Sequence, residues 1–293
     1  MSGLEELVEL LDPSRRTQVV DVGASQLHDA PPYKPLLDAG LCFVTGFDPQ
    51  AEAMPKPGSN ERYLPYAIGD GVKPHALNIC TYPGWTSLLT PSKAALDCFT
   101  TFKEQAAVKR QTVVQTHRLD DLEEVEHIDF LKADAQGSEL DVLRYGSNKL
   151  DDTAVIQVEV PFVGLYEHQP SFGDIDLELR AQGFLPHTFA NLKRWPIDSA
   201  LIIRDFRYQA NQLLEADAVY VRDFIRHAAL TSETLKHLCL IAHACYRSFD
   251  LAAHCIHLLE RRGKVKDGRK RYADLLQLLS AKEENVRYLK RNV

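Results

Sequence analysis

The sequence predicts an α/β fold in which a doubly wound, mostly parallel sheet carries helices on both faces. Two mainly apolar runs, Ile128–Ala133 and Ala154–Val160, are typical of strands that are buried on both faces. Segments of helical period alternate with the predicted strands, and this alternation favours parallel βαβ units over an all-β fold. Ligands of such sheets bind outside the carboxyl ends of the strands, where the strand order reverses. We therefore expect the functional residues at that edge.

The elements follow in order from the first residues onward. A stripe of apolar residues at helical spacing predicts an amphipathic helix over residues 3–11, which Pro13 ends. Glycines that close helices and acidic residues that end strands mark the later boundaries. The predicted strands cover Thr17–Asp21, Cys42–Phe47, 61–68, Ala76–Tyr82, Thr112–His117, Ile128–Ala133, Ala154–Val160, Phe184–Phe189 and Ala218–Val221, and the predicted helices cover Tyr33–Gly40, Glu139–Tyr145 and Ile175–Gln182.

The end of the chain changes to purely helical periodicity. Two alanine-containing apolar stripes predict helices over Thr234–Tyr246 and Phe249–Arg262, and a last helix is predicted over Tyr272–Leu289. The first two look somewhat like one tetratricopeptide unit, which cannot bury its own apolar face. We therefore divide the chain into a domain of residues 1–223 and a helical segment of residues 224–293. The segment is expected to pack on the domain or on a second copy in a homodimer.

The composition indicates an ordinary globular protein, with 45% hydrophobic and 26% charged residues. The formal net charge is −7, and this excess of acid disfavours general binding of nucleic acid or of anionic membranes. The six cysteines form no Cys-x-x-Cys pair, so neither a zinc site nor a disulfide framework is expected. The first residues lack the pattern of a signal peptide, and no stretch reaches the roughly 20 apolar residues that span a bilayer. We expect a cytoplasmic protein with no membrane partner.

The first chemical signal is the run Val19–Ser25, in which a short strand ends at Asp21 and Gly23 turns the chain. A side chain at Gly23 would block the approach of a ligand to the backbone amides. The run lacks the full Gly-x-Gly-x-x-Gly pattern of dinucleotide folds, so an ordinary tight turn stays open as an alternative. Asp48, at the tip of the next strand, is placed to accept hydrogen bonds from ribose hydroxyls, although it can instead cap the turn before Pro49.

The charge of Asp21 distinguishes between cofactors. A carboxylate inside a phosphate cradle would repel a phosphate-bearing cofactor such as NAD. A cofactor that presents an amino acid and a sulfonium at that point is instead attracted to negative charge. The sequence therefore favours S-adenosylmethionine (SAM), and an NAD-linked oxidoreductase stays a weaker alternative.

The strongest block is Asp129–Leu143, where an apolar strand delivers Asp134 to the sheet edge, Gly137 turns the chain and Glu139 opens a helix. This block resembles the FkbM family of methyltransferases, whose pattern is a strand, then Lys-x-Asp-x-(acid or amide)-Gly-x-Glu, then a Leu-rich helix. The resemblance covers about residues 17–223. It includes further motifs at Val20–Ala24, Phe47–Pro49, Tyr66–Asp70, Thr86–Leu88, Leu119–Leu122, Val158–Val160 and Gln182–Phe184.

The resemblance implies a class I Rossmann-like methyltransferase fold with an inserted hairpin, in which SAM methylates a hydroxyl, often of a sugar or natural product. The chain departs from the family at Ala135-Gln136, where many members have a β-branched residue and an acid. A non-catalytic interaction protein that keeps the fold, with the helical segment docking a partner, stays an alternative. The residues expected to hold SAM are Asp21, Gly23, Ala24, Ser25, Asp48, Pro49, Ala67, Ile68, Gly69, Asp134 and Gln136.

Asp134 is the first candidate for the base that assists a hydroxyl nucleophile, although it can instead bind the cofactor or shape the turn. Glu159 ends at the same sheet edge as a second catalytic candidate, with pairing to a buried group as its alternative. Two acids at these strand tips could hold Mg²⁺, but we expect no metal. The residues expected to bind a small-molecule or glycan acceptor are Trp85, Ser87, Tyr166 and His168, and Trp85 can instead anchor its loop to the core.

Overall fold

The computed structural model describes residues 3–25, 30–50, 54–197 and 211–291. Its strands are β1 (Thr17–Val22), β2 (Cys42–Phe47), β3 (Glu61–Leu64), β4 (Ala67–Ile68), β5 (Pro74–Cys80), β6 (Val108–His117), β7 (Phe130–Ala133), β8 (Val155–Pro161), β9 (Phe184–Trp195) and β10 (Gln212–Arg222). Its α-helices are α1 (Gly3–Leu11), α2 (Lys34–Asp38), α3 (Lys93–Cys98), α4 (Glu139–Arg144), α5 (Phe172–Ala181), α6 (Ser232–Tyr246), α7 (Phe249–Arg261) and α8 (Gly268–Arg291).

The main sheet has seven strands in the order β3-β2-β1-β7-β8-β10-β9. Every pair from β3 across to β8 is parallel, whereas β10 runs antiparallel to both β8 and β9. The chain first builds the sheet outward from β1 to β3 and then returns to add β7 on the other side of β1. The strand order therefore reverses between β1 and β7, which is where ligands of such sheets bind. The predicted α/β class is confirmed.

Helices cover each side of the sheet, and the central strands are buried on both faces for that reason. Side chains alternate along a strand. Val20 and Leu131 consequently pack on the face covered by α4 and α5, and Val19 and Phe130 pack on the face covered by α1, α2, α6 and α7. Each of these four side chains is at most 1% exposed. This arrangement explains why the central strands are mainly apolar in the sequence.

The C-terminal helices pack on the sheet. Leu235 and Leu238 of α6 and Ile256 of α7 are fully buried, in one apolar cluster with Val44 and Val219 of the sheet. The helical segment thus docks on the main domain, one of the two arrangements that the sequence left open, and the two predicted parts of the chain share this core. The stripe that suggested a homodimer is used within the chain, and the homodimer stays a prediction. Among the described residues, no helix combines the length and the apolar character needed to cross a membrane.

Several strands differ from their predicted bounds. The predicted strand over 61–68 is divided into β3 and β4, because Pro65 cannot donate a hydrogen bond to a ladder. β4 instead joins β6, which forms the inserted hairpin with β5 in a separate three-stranded sheet. β9 and β10 extend beyond their predicted bounds toward the loop between them. There β9 is exposed, and the ion pair between Lys193 and Glu215 joins the two strands.

Candidate functional site

A cleft of about 670 Å³, including its open mouth, lies at the carboxyl ends of β1, β2 and β7. This is the edge at which the strand order reverses, where ligands of an α/β fold bind. The predicted site residues that line the cleft are Gly23, Ser25, Asp48, Pro49, Ala67, Ile68, Ser87, Asp134 and Gln136. The predicted site residues that do not line it are Asp21, Ala24, Gly69, Trp85, Glu159, Tyr166 and His168.

Gly23 allows the ends of β1 and β7 to approach each other closely. Its φ is +80°, and a Cβ atom there would lie 1.9 Å from the carbonyl oxygen of Asp134, so only glycine fits. The N–H groups of Gly23 and Ala24 donate to the carbonyl of Phe47 (2.8 and 3.1 Å), and that of Ser25 donates to Gly23 (2.9 Å). These amides are therefore engaged within the protein. They do not face a ligand, contrary to the expectation from the sequence. Gly23 instead leaves space for the backbone of Asp134 to approach β1.

Asp48 follows β2 directly and lines the cleft. The residue is 7% exposed, and its Oδ1 accepts a hydrogen bond from the backbone N–H of Gln50 (2.7 Å). Asp48 thus caps the turn around Pro49, which was the alternative left open by the sequence, and it also lies on the cleft. The two roles are compatible, because an ionised carboxylate can accept several hydrogen bonds.

Asp21 faces away from the cleft. It lies within β1, where neighbouring side chains point to opposite faces, and Val22 lines the cleft instead. Asp21 is 3% exposed and accepts hydrogen bonds from Tyr33 Oη (2.6 Å) and Lys132 Nζ (3.0 Å). Burial alone would lower the pKa of Lys132, but the nearby carboxylates, Asp21 foremost, outweigh burial and hold that pKa above its ordinary value. Asp21 is therefore one half of a buried ion pair.

The side chain of Glu139 shapes the turn that follows β7. Glu139 is 2% exposed, and its carboxylate accepts hydrogen bonds from the backbone N–H groups of Ala135 (2.8 Å) and Gly137 (3.0 Å). Burial raises the pKa of Glu139 to about 7 and Asp134 adds to this, although the backbone hydrogen bonds act in the opposite direction. The same turn places Gln136 in the left-handed region, with a φ of +51°. A buried carboxylate thus holds the turn that carries Asp134 and Gln136 to the cleft.

Asp134 and Glu159 are brought together by Gln136. The Nε2 group of Gln136 donates to Asp134 Oδ1 (2.7 Å) and, over a longer distance, to Glu159 Oε2 (3.4 Å). Burial, followed by the nearby carboxylates of Glu215, Asp134 and Glu139, raises the pKa of Glu159 well above its ordinary value. The structure therefore places Glu159 beside Asp134, but not on the wall of the cleft.

Oxygen atoms of Asp134, Glu139 and Glu159 lie within 4.8 Å of one another, and no other acidic, histidine or cysteine group in the described parts of the chain is compact enough for a metal ion. Both oxygens of Glu139 accept backbone hydrogen bonds, so this side chain maintains the turn. Acidic groups this close also occur without an ion. The expectation that no metal is used stays a prediction.

One side of the cleft is formed by residues 83–88, which we call the wall loop. Trp85 within this loop is buried, and its ring contacts that of Tyr166 in an aromatic cluster, with 5.7 Å between centroids. It anchors the loop to the core, the alternative that the sequence left open. Ser87 lines the cleft, and its Oγ donates to the backbone carbonyl of Gln136 (2.6 Å). The wall loop is therefore attached to the turn after β7.

Tyr166 and His168 lie outside the lining of the cleft. Tyr166 is 5% exposed, and its Oη donates to Gln136 Oε1 (2.9 Å), so it supports the site from behind. His168 is exposed, with a φ of +60°. Of the predicted acceptor residues, only Ser87 is on the wall of the cleft.

Tyr66 on the cleft and Lys132 behind it are among the residues that were not foreseen from the sequence. Tyr66 lines the cleft, and its ring stacks on Phe47 with 6.1 Å between centroids and 15° between planes. Lys132 pairs with Asp21, because β1 and β7 are parallel neighbours whose register sets these two residues side by side. The signal for Lys132 was present in the Lys-x-Asp step of the strongest block. The signal for Tyr66 was weaker, since an aromatic residue after a proline is common in loops.

Comparison with known proteins agrees with this geometry. The sequence model of the methyltransferase FkbM domain matches residues 21–186, more than half of the chain. No curated protein shows significant sequence similarity to the chain. Similar solved structures include magnesium protoporphyrin IX methyltransferase from Synechocystis PCC 6803 with bound SAM (13% identity, 75% of this chain and 77% of that chain covered, TM-score 0.33). A TehB-like SAM-dependent methyltransferase from Corynebacterium glutamicum is also similar (12% identity, 76% and 88% covered, TM-score 0.33).

The fold and the sequence match together define a SAM-dependent methyltransferase, an enzyme whose expected cofactor is SAM. Because the match covers more than half of its length, the chain belongs to the FkbM methyltransferase family. The resemblance drawn from the sequence motifs is thereby confirmed, together with the class I Rossmann-like fold that it implied.

Proposed function

We propose that this chain transfers the methyl group of SAM to a hydroxyl of a sugar, glycan or natural-product-like small molecule. The observation that carries the proposal is the meeting of Gly23, Asp48 and Asp134 on one cleft at the carboxyl ends of three neighbouring strands. Membership of the FkbM family supports methyl transfer, and the acidic lining supports a positively charged cofactor.

The cleft offers a complementary group for the main parts of SAM. Asp48 would accept hydrogen bonds from the ribose hydroxyls. Tyr66 lines the cleft, and its ring, backed by the buried ring of Phe47, presents an aromatic surface suited to adenine. SAM supplies a methyl group on a positively charged sulfonium, and the carboxylate of Asp134 favours positive charge in the cleft. Asp21 is assigned to the ion pair with Lys132 and not to contact with the cofactor.

Asp134 is the group we assign as the base. Methyl transfer is an in-line displacement, so much of the rate comes from holding the acceptor oxygen in line with the methyl group. The hydroxyl loses its proton as the new C–O bond forms, and a carboxylate on the cleft is able to accept it. Glu159 reaches this carboxylate only through Gln136, so we assign it a supporting role. Ser87 of the wall loop is the predicted acceptor contact that remains on the lining.

Calorimetric titration of the full chain tests the cofactor. We expect S-adenosylhomocysteine (SAH) and SAM to bind with micromolar Kd and NAD not to bind. Asp48→Ala should weaken SAH binding about tenfold or more, because hydrogen bonds to a charged group contribute about 1.5–3 kcal/mol. Asp38→Ala is the matched control, since Asp38 forms an exposed ion pair with Lys34 away from the cleft. Failure of the wild type to bind any of the three ligands would favour a non-catalytic interaction protein.

Mass spectrometry tests the acceptor class. The wild type is incubated with SAM carrying a deuterated methyl group and a panel of monosaccharides, glycosides, phenols and amines. We expect the label on an oxygen of one hydroxyl class, and little label with Asp134→Asn. Labelling of the amines alone would contradict the hydroxyl assignment while leaving the methyltransferase activity intact.

A further inference from the structure

Gln136 lies at the centre of the site and contacts four groups, three of which lie outside its own turn. Its Nε2 donates to Asp134 (2.7 Å) and Glu159 (3.4 Å), and its Oε1 accepts from Tyr166 Oη (2.9 Å). Its backbone carbonyl accepts from Ser87 Oγ in the wall loop (2.6 Å). Gln136 also lines the cleft. One residue therefore connects the ends of β7 and β8 with the wall loop.

Chemistry fixes the orientation of the Gln136 amide. An ionised carboxylate only accepts hydrogen bonds, so the NH₂ group faces Asp134 and the carbonyl oxygen faces the Tyr166 hydroxyl, which can donate. Rotating the amide by half a turn would set two acceptors against each other at Asp134 and leave buried polar groups unpaired. The backbone of Gln136 is held as well, by the Ser87 hydrogen bond and by the left-handed turn. The side chain thus has one arrangement that satisfies its partners.

Gln136 is neutral, in contrast to the partner of Asp21. Among the described residues, no lysine or arginine forms an ion pair with Asp134, and Lys132, two residues before it, bonds to Asp21 instead (3.0 Å). A cation at position 136 would satisfy Asp134 equally well but would cancel its charge. An amide satisfies the carboxylate and leaves the negative charge on the cleft, where a sulfonium would bind.

We propose that Gln136 is a positioning residue for methyl transfer, which holds the Asp134 carboxylate in one rotamer on the cleft and ties it to the wall loop without neutralising it. This inference rests on the proposed function and deepens it. The other titratable groups that face Asp134 and Glu159 remain when Gln136 alone is changed. They are Lys132 on β7, Glu139 on α4, Tyr166, Lys193 on β9, and Glu215 and Asp217 on β10.

Sinefungin, a SAM analogue with an amine in place of the methyl-bearing sulfonium, reports the charge on the cleft. The ratio of the SAH Kd to the sinefungin Kd is measured by calorimetry from about pH 4 to about pH 9, a range that begins near the ordinary pKa of a carboxyl group. This ratio cancels any loss of affinity that both ligands share. The variants are Gln136→Met, which has similar length without a donor, and Gln136→Glu, which adds a carboxylate of the same shape.

Gln182→Met is the matched control. Gln182 also donates to a glutamate, Glu178 (2.9 Å), but it follows α5 and does not line the cleft. Free sinefungin titrates in the same way whichever variant is present, so differences between the profiles arise from the protein and its complex. Circular dichroism confirms that each variant is folded.

We expect the midpoint of the pH profile to rise in the order wild type, Gln136→Met, Gln136→Glu, and to stay unchanged in Gln182→Met. Loss of a donor to a charged carboxylate raises its pKa, and an added carboxylate raises it further, by about 1 unit or more. A crystal structure of Gln136→Met with SAH should show Asp134 in more than one rotamer. Coincident midpoints in the wild type and both Gln136 variants would overturn this inference and leave the proposed function standing. If the wild type binds neither ligand, both the proposed function and this inference fail.

Discussion

Asp21 and Asp134 stand at the carboxyl ends of two neighbouring strands, yet their surroundings are opposite. Asp21 is 3% exposed and is bonded by Lys132 and Tyr33 on the side away from the cleft. Asp134 lines the cleft, and its side chain accepts a hydrogen bond from the neutral amide of Gln136. One carboxylate is neutralised by a buried cation, and the other keeps its charge where a ligand can meet it.

The difference comes from where each acid lies relative to the end of its strand. Asp21 is inside β1, so the alternation of side chains directs it to the face opposite Val22. Asp134 is the first residue after β7 and belongs to the turn. The acid inside the strand therefore stabilises the fold, whereas the acid directly after the strand is available to a ligand.

The largest effect is expected for Lys132→Met. This change leaves Asp21 buried without its cation, and breaking a buried pair in this way costs about 3–5 kcal/mol. Urea unfolding measures the loss. Lys34→Met is the control, because its ion pair with Asp38 is exposed and contributes at most about 1 kcal/mol. An equal loss of unfolding free energy in the two variants would show that the buried ion pair of Asp21 contributes no more than an exposed one.

Asp134→Asn should lower the rate of methyl transfer by about 100-fold or more, the usual contribution of a general base. Its free energy of unfolding should change little, because no buried cation loses its partner. Initial rates with the acceptor found by mass spectrometry, together with urea unfolding, measure both quantities. A variant that keeps its rate and loses stability would give Asp134 the same role as Asp21.

A smaller effect concerns pH, and it belongs to the turn that carries Asp134. Burial raises the pKa of Glu139 from 4.5 to about 7. The folded state therefore binds more protons than the unfolded state between these values, and this carboxyl makes the protein less stable as the pH rises through that window. The stability of the wild type minus that of Glu139→Gln should fall by about 1–3 kcal/mol from pH 4.5 to about pH 7 and then stay level. Urea unfolding at several pH values measures this difference in stability. A difference that stays constant with pH would show that Glu139 does not titrate between pH 4.5 and about pH 7.

The sequence located the cleft because the signals for it are local to strand ends. A glycine turn and acids that directly follow strands identified Gly23, Asp48 and Asp134, and all three line the cleft. These signals do not depend on how distant elements pack. The same reasoning could not set the face of Asp21, because a shift of one residue within a strand reverses the direction of a side chain.

The acceptor side was harder to predict because its residues are set by tertiary packing. Trp85 was expected at the ligand, but a large aromatic ring is equally suited to filling a core, and here it anchors the wall loop. His168 follows β8 closely in sequence, yet its loop leaves it exposed and off the cleft. Neither outcome is encoded in the residue type or in the spacing from the strand.

A crystal structure of the protein with SAH shows whether Asp134 meets the ligand while Asp21 stays in its ion pair. We expect SAH in the cleft, with the ribose hydroxyls on Asp48, the sulfur on the side of Asp134 and Gln136, and Asp21 still bonded to Lys132. SAH bound elsewhere, or bound with Asp21 turned toward it and Asp134 turned away, would show that these roles are wrongly assigned.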